Sequence, residues 1–123
     1  MKGRQERLDG LLQDLAKERG VLGASLVSRD GLAVKTAGNV EMNRETFSAM
    51  SATLVGAAEI ALAEVDGGKP RSIVCHADRV RLVLVGATHD LLLVAYANGD
   101  ASLDALVPRL ESAARDVAAI VSG

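Results

Sequence analysis

Leu8, Leu11, Leu12 and Leu15 recur at spacings of three and four between charged residues, the pattern of a helix with one buried face. Lys17, Glu18 and Arg19 followed by Gly20 supply a plausible C-terminal stop, so a helix is predicted over about residues 4–19. Leu22, Ala24 and Leu26 then alternate with Gly23, Ser25 and Val27, and Arg29-Asp30-Gly31 provides turn chemistry before Leu32–Ala37 resumes the extended pattern. That is a hairpin, ended by Gly38-Asn39. Asn43 is a good N-cap for a second helix, with Glu45 in its first turn. This helix runs to about Val65 and stops at Asp66-Gly67-Gly68-Lys69-Pro70. Three strand-like runs follow, Arg71–His76, Arg79–Ala87 and Leu91–Ala97, separated by Asp78 and by Thr88-His89-Asp90. They read as an antiparallel meander closed by Asn98-Gly99. A last helix carries Leu106, Leu110, Ala113, Val117 and Val121 on one side, and Pro108 predicts that it begins near Leu106 or is kinked in its first turns. The order α-β-β-α-β-β-β-α predicts one α/β domain of the α+β type over residues 1–123. Its single five-stranded antiparallel sheet has helices on both faces.

The second helix departs from the usual pattern. On a wheel of about 100° per residue, Phe47, Met50, Leu54, Ala57, Ala58, Ala61 and Val65 form an apolar stripe expected to face the sheet. Nearly opposite lie Ala49, Thr53, Gly56 and Ile60, while Val55 and Leu62 add apolar surface on a further side. The polar wedge, Arg44, Ser48 and Glu59, is narrow. One sheet cannot bury a helix that is apolar on two sides. Gly56 costs about 0.5–1 kcal/mol relative to alanine in a helix interior, and small residues at this spacing let a second helix approach closely. A homodimer through this helix is the expectation, against the bland alternative that alanine is simply a good helix former.

Composition removes several functions. Apolar residues make up 49% of the 123, and the formal net charge of −2 offers no basic field for nucleic acid or anionic lipid. The polar segment Met1–Arg7 is read as neither signal peptide nor anchor, and no uninterrupted apolar run approaches the roughly 20 residues of a membrane span. The single cysteine, Cys75, cannot form an internal disulfide, which fits a reducing cytoplasm. Phe47 and Tyr96 are the only aromatic residues, so platforms for bases or sugars are scarce.

Catalytic and cofactor chemistry finds no motif. Cys75 and His76, adjacent on a strand, point to opposite faces and cannot act together as nucleophile and base. His89 sits beside Asp90 in a turn, where polarity alone accounts for it. Gly67-Gly68-Lys69 resembles part of a phosphate loop, but Ala63 stands at the first glycine, Pro70 at the serine or threonine, and a strand is expected to follow instead of a helix. No nucleotide binding, cofactor, metal or enzymatic activity is expected.

The element order, the Arg29-Asp30-Gly31 hairpin and the alanine-rich stretch Met42–Glu64 resemble the Roadblock family of dynein light-chain-like domains. Leu82–Ala97 is similar to its fourth and fifth strands, and Ala101-Ser102-Leu103 to the opening of its last helix, although Ser102, Asp104 and Pro108 are atypical there. The resemblance implies a profilin-like sandwich and a dimer in which second helices pack together and third strands join two sheets. Ala49, Thr53, Gly56, Ile60 and Ile73 would then form the interface. It also implies a partner, a Ras-like small GTPase whose hydrolysis or nucleotide state is modulated without an inserted catalytic residue. Arg44, Ser48 and Glu59 are the candidate docking surface. The alternatives are a passive scaffold in a multiprotein complex and, disfavoured by the scarcity of aromatic and inward polar residues, a small-molecule sensor.

Overall fold

The computed structural model describes residues 2–39 and 41–123; Met1, which opens the polar N-terminal segment, and Val40 lie outside the described residues. The elements are α1 (Arg4–Ala16), β1 (Val21–Ser28), β2 (Ala33–Gly38), α2 (Arg44–Glu64), β3 (Ile73–His76), β4 (Arg81–Gly86), β5 (Leu91–Ala97) and α3 (Leu103–Ser122). The strands form one antiparallel sheet in the order β2-β1-β5-β4-β3. The expected element order and the sheet with helices on both faces are therefore present. The first helix stops earlier than expected, at Ala16, and β3 begins later, at Ile73.

Side chains of the central strands alternate between two cores. Ala24, Leu26, Val83, Val85, Leu93 and Ala95 face α1 and α3, where they meet Leu8, Leu12, Leu15, Leu106, Leu110 and Val117. Val27, Leu84, Leu92 and Val94 face the other way, beneath Val55 of α2. β5 lies between β1 and β4 with cover on both faces, which is why Leu91–Ala97 reads as an uninterrupted apolar run.

Gly20 marks the exit from α1. Its φ of +79° is left-handed, and a Cβ there would come within 2.3 Å of the Ala101 amide nitrogen. Only glycine fits both the turn and the close approach.

In the last helix Pro108 does not delay the start to Leu106. The helix begins at Leu103, because the Ser102 hydroxyl accepts a bond from the Ala105 amide at 3.4 Å and caps it. Pro108 lies inside the helix on its exposed side, while Leu106 and Leu110 remain buried. The burial of that face and the cap outweigh the one backbone bond the proline removes.

The second helix corrects one expectation, the set of side chains it turns to the sheet. At 21 residues, α2 is long and apolar enough, by length and composition alone, to cross a membrane. No uninterrupted apolar run of that length occurs in it, because Ser48, Ser51, Thr53 and Glu59 break the run without making the helix polar on average. Its phase differs. Ser48, Ser51 and Val55 face the sheet, whereas Met50 is 57% exposed, Val65 is 73% exposed, and Ala57 and Ala61 also face outward. The stripe expected to face the sheet is thus split: Phe47 and Leu54 pack against the core beneath the helix, while Met50, Ala57, Ala61 and Val65 do not.

Candidate interaction surface

Asn43 accepts the Thr46 amide at 3.0 Å and fixes the start of α2. From there the helix lies mainly over β1 and β2. Small residues set how closely it approaches: Ser48 and Ser51 are buried, and Ala49 lies against Gly31 of the β1–β2 turn, where a Cβ would come within 3.0 Å of the Ala49 Cα. The two aromatic rings are engaged in this packing, Phe47 meeting Tyr96 edge-on with centroids 5.4 Å apart.

The outward side of α2 is a ridge of modest, mostly apolar side chains. Met50, Thr53, Ala57, Ile60 and Ala61 are exposed on it, Ile60 by 69%. The Thr53 hydroxyl donates to the Ala49 carbonyl at 2.8 Å, so its polar group is already paired within the helix. Gly56 is half-buried beside this ridge, and a Cβ there would meet nothing within 4 Å. Glycine at 56 is therefore not demanded by packing inside the protomer.

The polar wedge divides. Arg44 is exposed at the start of α2. Ser48 is only 2% exposed, packed under the helix, and presents no surface for docking. Glu59 turns inward, where both its carboxylate oxygens accept from Arg29 Nη1, at 2.9 and 3.0 Å. This pair, about one-third exposed on each side, ties the end of β1 to the C-terminal half of α2. Sequence reasoning had no partner for Glu59, since Arg29 lies 30 residues away and was read only as turn chemistry.

Ile73 is half-buried at the start of β3, next to the core beneath α2, while Val74 beside it faces the opposite side and is exposed. β3 is an edge strand with its outer backbone groups unpaired in the sheet. Cys75 pairs across from Leu82 and His76 from Arg81, so the two side chains take opposite faces, and Arg81 Nε donates to His76 Nε2 at 3.2 Å. The Gly67-Gly68-Lys69 segment leads into β3, not into a helix. Among the described residues, no three histidine, cysteine or acidic side chains converge as a metal site would require.

The Roadblock/LC7 domain model matches residues 7–97, from α1 through β5. The chain belongs to the Roadblock/LC7 family. No curated protein matches it in sequence. Among solved structures, an MglB with a tetrameric arrangement superimposes with a TM-score of 0.90 at 20% identity, over 99% of this chain and 93% of that one. A Roadblock/LC7 domain from Streptomyces avermitilis gives 0.85 at 22% identity, over 94% of this chain and 98% of the other. Profilin IA from Acanthamoeba castellanii gives 0.65 at 17% identity, over 94% and 96%, which places this Roadblock/LC7 domain in the profilin-like fold class. These identities establish the shared fold.

Proposed function

We propose that this Roadblock/LC7 chain, as a single domain over residues 1–123, is a homodimeric adaptor that binds a Ras-like small GTPase and modulates its GTP hydrolysis or nucleotide state without contributing a catalytic side chain. The observation that carries the reading is the outward ridge of α2. A free protomer leaves Met50, Thr53, Ala57 and Ile60 in water although each could be covered by a helix of the same kind. In this reading a second copy of α2 packs along that ridge about a two-fold axis, with Thr53, Gly56 and Ile60 at the seam. Ala49 contributes at the flank, and Ile73 lies where the two β3 edges meet. The likeness to MglB, whose structure has a tetrameric arrangement, supports self-association. Arg44 is the element of the docking surface that remains available, and its position supports such a role. A cation in the first turn opposes the helix dipole, which costs about 0.3–1 kcal/mol, so helix stability gives no reason for it. Glu59 serves chiefly to hold α2 to β1.

Light scattering after gel filtration should give twice the chain mass of 12.8 kDa. GTP turnover by a Ras-like GTPase encoded beside this gene should then change when the protein is added. A complex with unchanged turnover would leave only a scaffold, and the absence of any complex would overturn the proposed partner.

A further inference from the structure

We propose that the groove between the C-terminal half of α2 and the β3–β4 edge is a binding site for one oxyanion group, a carboxylate or a phosphate. The groove is half-enclosed, with a volume of about 480 Å³. Arg29, Lys69 and His89 line it together with Glu59, over an apolar floor that includes Val55 and Leu84. In a chain of net charge −2 this is a local reversal of sign.

Three features mark the groove as incomplete. Arg29 gives both hydrogen bonds to Glu59 from the single nitrogen Nη1, and its Nη2 donates to no side chain or carbonyl among the described residues. A guanidinium carries five donors arranged to fork onto an oxyanion, and with Nη1 held by Glu59 the outer nitrogen Nη2 is the one an anion in the groove can meet. Next, Gly86 leaves room for the guanidinium, since a Cβ there would stand 3.1 Å from Arg29 Nη2. Finally, Lys69 forms no ion pair among the described residues. With Arg29 and Glu59 neutralising each other, Lys69, exposed at the rim and shared with an adjoining cleft that Asp66 lines, supplies the remaining positive charge. An anion of single charge balances it. Arg29 and Lys69 would share that anion, with Glu59 as its competitor for the guanidinium.

The groove does not include the exposed ridge residues Met50, Thr53, Ala57 and Ile60, but Ile73 lines it and also lies at the proposed β3 junction, so the oligomeric state is measured alongside the titration. Amide chemical shifts of the ¹⁵N-labelled full chain would be followed during titration with inorganic phosphate and with acetate, at constant ionic strength against sodium chloride. Saturable shifts at Arg29, Lys69 and His89 are expected with an oxyanion and not with chloride. Lys69→Ala should weaken binding at least about threefold. Glu59→Gln, which frees the guanidinium, should tighten it by about the same factor. Glu64→Gln makes the same charge change on the exposed side of α2 and should leave affinity unchanged. Preference for phosphate would identify a phosphoryl ligand, and preference for acetate a protein or small-molecule carboxylate. The absence of saturation would overturn the site. So would a Lys69→Ala protein that binds like the parent, or equal tightening by Glu64→Gln and Glu59→Gln. If Glu59→Gln lowered the melting temperature, the exposed Lys69 would decide the matter alone.

Discussion

At Gly20 the backbone is left-handed and pressed against Ala101, whereas at Gly56 it is helical with open space where a side chain would go. The same substitution should therefore act in opposite directions. Gly20→Ala is expected to cost about 2 kcal/mol or more, from the positive φ and the overlap with the Ala101 backbone. Gly56→Ala should stabilise an isolated protomer by about 0.5–1 kcal/mol. Chemical denaturation of both variants checks the pair, with the Gly56 variant read at concentrations low enough to hold the protomers apart. A destabilised Gly56→Ala monomer would show that this glycine answers a need inside the protomer after all. Arg44 belongs to the same scale. Arg44→Glu should leave the melting temperature unchanged or slightly raised, because an acid suits the first turn of a helix, while weakening the GTPase complex in a pull-down titration. Unaltered binding would remove Arg44 from the docking surface.

Among the elements, α2 shows what the hydrophobic pattern could and could not convey. Its existence, its Asn43 cap and its end before the glycine pair were legible, as were the strands and the two buried helical faces of α1 and α3. Its orientation was legible only in part, at Phe47 and Leu54, which pack against the core as the stripe implied. Periodicity identifies the sheet-facing side by apolar character, but a helix that approaches a sheet closely selects for small side chains, and Ser48 and Ser51 meet that requirement while reading as polar. The larger Met50 and Ile60 are left outside, where the wheel alone could not distinguish a core from an interface. The Arg29–Glu59 link was illegible for a different reason, since its partners are brought together by the whole hairpin and not by any local spacing. The corrected phase is open to test. Val55→Ala should cost roughly 2 kcal/mol through lost burial and a cavity above Val27 and Leu84. Ile60→Ala should leave a monomer nearly unaffected and weaken only self-association. Equal losses at the two positions would contradict the orientation of α2. In α3, Pro108→Ala restores a backbone bond on an exposed surface and should stabilise by about 1–3 kcal/mol, visible as a raised melting temperature. A fall would show that the ring makes a contact of its own.

For the whole molecule, the decisive property is symmetry. If two copies meet through α2, any substitution at the seam is present twice. Gly56→Arg would place two cations in a closely packed, poorly hydrated contact, at an expected cost on the order of 3 kcal/mol or more. On a helix that merely faced solvent the same change would be close to neutral, because arginine is the better helix former. Mass by light scattering separates the outcomes: a monomeric variant from a dimeric parent supports the seam, and a variant dimer as stable as the parent removes it.

The two ends of the sheet are unequal, and this bears on how far assembly can extend. β2 carries a register shift opposite Leu26 and Val27, and its Lys35 is tied to Asp9 of α1 at 2.9 Å. Irregular, charge-bearing margins of this kind discourage a further strand from joining. β3, by contrast, pairs regularly with β4 through all four of its residues and carries no such irregularity. Addition at β3 would use up that edge in both copies and leave a β2 strand at each outer margin. A ribbon built this way is finite: it doubles once, and the next increment must come from some surface other than the sheet.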